Sequence, residues 1–165
     1  MSAEPSGFLQ SLIDRRLVFT GLETASLEEA LADLSRRISA VGVVHDAADL
    51  TRRLLERERL GCTGLGGGIA IPHCKLKEID EIVLSVASFP RGVDFAAPDG
   101  ILVTLVFLIL SPAQAPALHL QALARISRLL KAPGVTDTLR NASTPDELVA
   151  ALREAESAPV TAVQS

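Results

Sequence analysis

The 165-residue sequence predicts an α/β fold, and three observations carry the prediction. Residues 82–89 and 101–110 are near-continuous runs of apolar, largely β-branched side chains, the pattern of strands covered on both faces. Four other stretches show the spacing or the capping chemistry of helices. Strand-like and helix-like stretches alternate along the chain, which is the signature of the class.

Taken in order, residues 1–6 read as a flexible lead and residues 157–165 as a frayed tail. Residues 7–156 then form a single domain, with no linker or repeat to divide it. Leu17, Val18 and Phe19 suggest a short strand. Ser26 and Glu29 form a capping box that starts a helix, in which Leu27, Leu31, Leu34 and Ile38 repeat as one apolar stripe. A second helix is expected over residues 47–59, with Leu50 and Leu54 facing inward. A glycine-rich loop follows over residues 61–68. The two apolar strands come next, the first closed by a turn at Pro90, Arg91 and Gly92, the second opened by Pro98, Asp99 and Gly100. A long helix is expected over residues 115–131, stopped by Pro133 and Gly134. Thr144 caps a last helix, with Pro145 at its first position and Asp146 and Glu147 in its first turn.

Composition removes several classes of function. Mean hydropathy is positive, but the longest strongly apolar run is the stretch 101–110, too short to span a bilayer as a helix. The N-terminus shows no signal peptide, and two cysteines, Cys62 and Cys74, make no disulfide framework, so a cytoplasmic protein is expected. The net charge of −4 argues against a nucleic-acid binder, which needs a basic stripe. Five Phe without Trp or Tyr offer no base-stacking platform.

The residues able to carry chemistry cluster in the middle of the chain. Gly66, Gly67 and Gly68 fit neither the dinucleotide fingerprint, which has a glycine where Ile69 stands, nor the Walker pattern. Their backbone N–H groups are still candidates to cradle an oxyanion. The loop leads to His73, held by Pro72 before it. Its imidazole is a candidate phosphoryl acceptor, base or metal ligand. His119 shares a helical face with Ala122 and Ile126 and is expected to point inward. His45 is read as a surface or capping residue. Arg57 continues the stripe of Leu50 and Leu54. There it is an anion receptor, a snorkelling side chain, or the partner of a carboxylate such as Glu58. A zinc site built from Cys62, Cys74, His73 and His119 lacks any ligand-spacing motif.

Glu58, six residues, and then the run from Leu65 through Gly66, Gly67, Gly68, Ile69, Ala70, Ile71, Pro72 and His73 to Cys74 resembles a known signature. It is that of the type-2 enzyme IIA domains of the bacterial phosphoenolpyruvate-dependent phosphotransferase system. The family comprises fructose, mannitol and nitrogen-regulatory branches. Residues 54–58, 95–100 and 119–121 extend the resemblance, which covers about residues 12–155. It implies a mixed β-sheet flanked by helices on both faces, and a phosphorelay fed by an HPr-like histidine phosphocarrier. It further implies that His73 is phosphorylated, that His119 orients it and stabilises charge, that Arg57 faces the phosphate, and that Thr63 supplies a hydroxyl beside the site. The implied chemistry needs no metal or organic cofactor. The downstream partner is either a regulatory target protein or a transporter's IIB domain. The chain's length and lack of a fused transporter domain favour the free-standing regulator. A phosphorylation-independent binding module and a zinc enzyme are the readings from other classes. Three departures bear on partner choice: Cys74 where glycine is commonest, Gly67 where the nitrogen branch often has Asn, and no acidic residue from Ser111 to Gln114.

Overall fold

A computed structural model describes residues 7–157. The lead 1–6 and residues 158–165 of the expected tail lie outside the described residues. In chain order the elements are α1 (Phe8–Leu12), β1 (Ile13–Phe19), α2 (Leu27–Ala40), α3 (Ala47–Leu60), β2 (Gly64–Gly66), β3 (Ile69–Ala70) and β4 (His73–Leu76). They continue with β5 (Val83–Val93), β6 (Val103–Pro112), α4 (Pro116–Lys131), α5 (Val135–Arg140) and α6 (Pro145–Ser157). Ser157, expected in the tail, is the last residue of α6.

The strands form one mixed sheet in the order β1-β5-β6-β3-β2, with β4 also paired to β6. β1 runs parallel to β5, β5 antiparallel to β6, and both β3 and β4 parallel to β6. β6 is therefore central, and its alternation divides the interior. Val106, Leu108 and Leu110 face a core built with Leu31 and Leu34 of α2 and Leu50 and Leu54 of α3. Leu105, Phe107 and Ile109 face a second core with Ala122 and Ile126 of α4, Leu139 of α5, and Leu148 and Leu152 of α6. All six of these β6 side chains are fully buried. Apolarity on both faces is what a strand between two helical layers requires.

Helix caps form as their residue types dictate. The Ser26 hydroxyl accepts from the Glu29 N–H at 3.1 Å, and the Glu29 carboxylate reaches back to the Ala25 N–H. Thr144 accepts from the Glu147 N–H at 3.2 Å. Pro90, Arg91 and Gly92 do not end the strand before them, contrary to expectation. β5 runs on to Val93, and its register against β6 shifts between Ser88 and Val93. That irregularity accommodates Pro90, which has no N–H to give a ladder. Gly92, at φ +79°, packs against Leu102, whose Cβ would lie 2.6 Å from any Cβ placed there.

The β3–β4 course positions the site. Ile69 and Ala70 pair with Leu105 and Val106, and His73 pairs with Ile109. The buried Pro72 separates the two segments, and its carbonyl accepts from the Ile109 N–H at 2.9 Å. The two strands are one parallel track along β6, interrupted at a proline. His73 is the first residue after the interruption.

Candidate functional site

His73 opens β4, half-buried, with its side chain on the opposite face from its neighbour Cys74. Its Nδ1 lies 2.8 Å from the Ile71 carbonyl. A carbonyl only accepts, so Nδ1 carries the ring proton and donates it. Nε2 keeps its lone pair. Burial holds the imidazole below its ordinary pKa of 6.5; the Ile71 bond opposes that shift, and the positive charges of Arg57 and Lys75 add to it. A neutral ring results, its Nε2 without a partner among the described residues, which is what nucleophilic attack requires.

The Ile71–His73 contact is the end of a longer chain of bonds. Glu58, in the last turn of α3, accepts from both the N–H and the hydroxyl of Thr63, the N–H at 3.1 Å. The Thr63 carbonyl accepts from the Ile71 N–H at 3.0 Å, and the Ile71 carbonyl accepts from His73. A carboxylate on a helix is thereby tied to the orientation of an imidazole on a strand. Thr63 is buried, and its hydroxyl proton is directed at Glu58.

His119 lies in the first turns of α4, 5 % exposed. Its ring centroid is 5.0 Å from that of His73, with the planes tilted by 54°. Burial lowers its pKa to about 4, helped by the positive charges of a protonated His73, Lys75 and Arg57. It is therefore neutral at pH 7. Its Nδ1 is 2.6 Å from the hydroxyl of Ser111, which is itself fully buried near the end of β6. Arg57 is only half-buried, unlike Leu50 and Leu54 on the same helix. Its guanidinium donates to the Gly61 carbonyl at 2.9 Å, at the C-terminal end of α3. Glu58 is engaged with Thr63, so the alternative of an Arg57–Glu58 ion pair is not realised. Lys75, exposed two residues after His73 and on the same face of β4, supplies a second positive charge.

The glycines lie in and beside the turn between β2 and β3. Gly66 and Ile69 close the β2–β3 hairpin. The Gly67 N–H donates to the Asp99 carboxylate at 2.8 Å. The Gly67 carbonyl accepts from Arg140 of α5, which also donates to Thr104 at 3.0 Å. The Gly68 carbonyl accepts from the N–H groups of Thr104 and Leu105. The tip sits beside Leu105 and His73 beside Ile109, four residues along β6 and about 13 Å apart at the usual rise of a strand. Of the three glycine N–H groups expected to support a phosphate, that of Gly67 is engaged by Asp99. The tip itself is the turn of the β2–β3 hairpin.

The cysteines stand apart from the imidazoles. Cys74 packs into the α2–α3 core, and burial pushes its thiol up to about 12, so it is no thiolate at neutral pH. Cys62 donates to the Phe95 carbonyl at 3.3 Å. Among the described residues, no group of three or more His, Cys, Asp or Glu side chains is placed to hold a metal ion. His45 is exposed. No helix among the described residues is long and apolar enough to cross a membrane.

Sequence reasoning missed Ser111 and Lys75 as neighbours of the site. Lys75 was discoverable, because alternation on a strand places i and i+2 on one face. Ser111 gave no signal, because its contact with His119 depends on how α4 turns back over β6.

Comparisons with known proteins agree with this architecture. A family model for the phosphoenolpyruvate-dependent sugar phosphotransferase system, EIIA 2, matches residues 11–155. The nitrogen regulatory protein of Bradyrhizobium diazoefficiens is 38% identical over 132 residues, which span 80% of this chain and 86% of that protein. The 2-O-α-mannosyl-D-glycerate-specific EIIABC component of Escherichia coli is 30% identical over 146 residues, 87% of this chain but 22% of that one. The crystal structure of nitrogen regulatory protein IIA-Ntr from Neisseria meningitidis superposes with a TM-score of 0.80 at 26% identity, covering 87% of this chain and 98% of that chain.

Proposed function

The chain belongs to the EIIA type-2 family of the phosphoenolpyruvate-dependent sugar phosphotransferase system, and from that premise we propose that it is a phosphorelay protein of the nitrogen-regulatory type. In this reading it accepts a phosphoryl group from an HPr-like histidine phosphocarrier on Nε2 of His73. The single observation that carries the proposal is the state of His73: neutral, its Nδ1 proton engaged by the Ile71 carbonyl, and a second buried imidazole 5.0 Å away.

The step is a displacement at phosphorus. The phosphorus–nitrogen bond on the carrier's histidine breaks as the His73 Nε2–phosphorus bond forms. The carrier's imidazole leaves with the electron pair, and the His73 proton stays on Nδ1. Phosphoryl transfer asks mainly for position and for charge stabilisation on the equatorial oxygens. The Glu58–Thr63–Ile71 chain provides position. Arg57 and Lys75 provide positive charge, and His119 a second neutral imidazole. Leu118 and Leu120, both exposed on either side of His119, give a docking carrier an apolar rim. The protein is then a phosphohistidine carrier rather than a multiple-turnover metabolic enzyme, with the cytoplasm as its proposed place of action.

The test is intact-mass analysis after incubation with phosphoenolpyruvate, enzyme I and an HPr-type carrier, with His73→Ala alongside. A single acid-labile phosphoryl adduct on the unmodified protein alone is expected. Absence of an adduct with every carrier tried would leave a phosphorylation-independent binding module. The second reading, a sugar-specific IIA component that passes its phosphoryl group to a IIB domain, is favoured by the similarity to the EIIABC component. The regulator is preferred because the nitrogen regulatory relative matches at higher identity and over most of its own length. Discharge of the phosphorylated protein by a purified IIB domain would reverse that preference.

A further inference from the structure

We propose that Ser111 is a positioning residue: its hydroxyl donates to Nδ1 of His119 and so holds that imidazole with its proton on Nε2. The catalytic consequence rests on the phosphorelay reading above, whereas the tautomer itself does not.

The argument is one of proton accounting in a buried pair. Ser111 is fully buried and His119 is 5 % exposed, with 2.6 Å between Oγ and Nδ1. Among the described residues, the Ser111 hydroxyl has no hydrogen-bond partner besides the His119 nitrogen. A neutral imidazole has one ring proton, so two arrangements exist. If His119 carried it on Nδ1 and donated to Ser111, the serine O–H would have no acceptor. It would be a buried donor left unmade, which is costly. If serine donates instead, its proton is satisfied. What remains unused on serine is acceptor capacity, which is the milder deficit. The ring proton then moves to Nε2, the only ring nitrogen left free to serve the site.

The chemical value is a donor of fixed identity. A neutral imidazole presenting N–H stabilises negative charge on a phosphoryl oxygen without itself being acidic. Presenting a lone pair there instead would repel the same oxygen. The second histidine would thus be selected as a donor by a residue eight positions away, on a different element.

Two measurements on the full chain test this. The first is the imidazole ¹⁵N shifts of His119 in the unphosphorylated protein. We expect the pattern of a single tautomer with Nδ1 bare and Nε2 protonated, and a mixed pattern in Ser111→Ala. The second is the rate of phosphorylation of His73. It should fall about tenfold in Ser111→Ala, the worth of one hydrogen bond. It should be regained substantially in Ser111→Thr, and it should fall no further when Ser111→Ala is added to His119→Ala. Thermal unfolding of each variant separates a packing defect from lost positioning. A wild-type proton on Nδ1, an unchanged tautomer in Ser111→Ala, or equal losses with and without His119 would each overturn the proposal. A wild type that no carrier phosphorylates would sink the phosphorelay reading instead, and the ¹⁵N measurement would still decide the tautomer.

Discussion

The histidine end of β4 and the glycine tip of the β2–β3 hairpin lie along the same central strand, yet they use their polar groups in opposite ways. At the glycine tip every described polar contact is internal: Asp99 takes the Gly67 N–H, and Arg140 donates to the Gly67 carbonyl. At the histidine end the internal bonds stop one atom short. Glu58, Thr63 and Ile71 occupy one another and Nδ1, and among the described residues leave Nε2 of His73 without a partner. Two cations, Arg57 and Lys75, stand close enough to influence the ring, and neither appears in an ion pair among the described residues. The candidate site is therefore distinguished less by having polar groups than by having one left over, with its orientation already fixed.

That contrast is breakable. His73→Ala should abolish phosphorylation while leaving a cooperative thermal transition, because a half-buried strand-end residue contributes little to either core. A residual adduct of similar stoichiometry would move the acceptor elsewhere. Arg57→Ala should slow phosphorylation by roughly 10²- to 10³-fold, the usual loss for one charge-stabilising donor. It should also shift the pH profile. The attacking lone pair is lost when His73 is protonated, and that group's pKa lies below 6.5, so activity should fall on the acid side of that value. Arg57 is one of the charges holding the pKa down, so its removal should move the acid limb upward. A rate profile with an unmoved limb would mean the guanidinium does not act on His73.

The glycine tip should respond in stability alone. Gly68 sits at φ +84°, and an added Cβ would meet Arg140 at 3.0 Å and the Leu102 carbonyl at 3.2 Å. Gly68→Ala should therefore lower stability by about 1–2 kcal/mol in urea unfolding, from left-handed strain before any clash. Its phosphorylation rate per folded molecule should stay at the wild-type value. Asp99→Ala is the smallest and sharpest case: it frees the Gly67 N–H, yet should leave the rate unchanged. A faster or slower Asp99→Ala would restore the glycine tip as part of the phosphate site.

Much of this could be read before any coordinates. The caps at Ser26 and Thr144 are local, and both form, Ser26 with its expected partner Glu29. The two apolar runs became β5 and β6 because burial on both faces leaves a mark in every residue. α1 and α5 were not foreseen, since helices of five and six residues are too short for a period to show. Pro90 looked like a stop because a local rule was applied to a strand whose irregularity is set by its partner. The same limit governs the site. His73, His119 and Arg57 stand out by residue type and pattern, but whether a glycine N–H is free or taken depends on Asp99, 32 residues away. The Ser111–His119 contact has no sequence signal at all.

The bond from His73 Nδ1 to the Ile71 carbonyl has a consequence for the return journey of the phosphoryl group. A carbonyl cannot take the proton away, so in the proposed relay the phosphorylated ring keeps it on Nδ1. When phosphorus departs to the next acceptor, the leaving group is then a neutral imidazole and not an anionic one. In that relay a single backbone oxygen would keep the linkage labile. That lability is what an onward transfer, as opposed to a dead-end modification, would require.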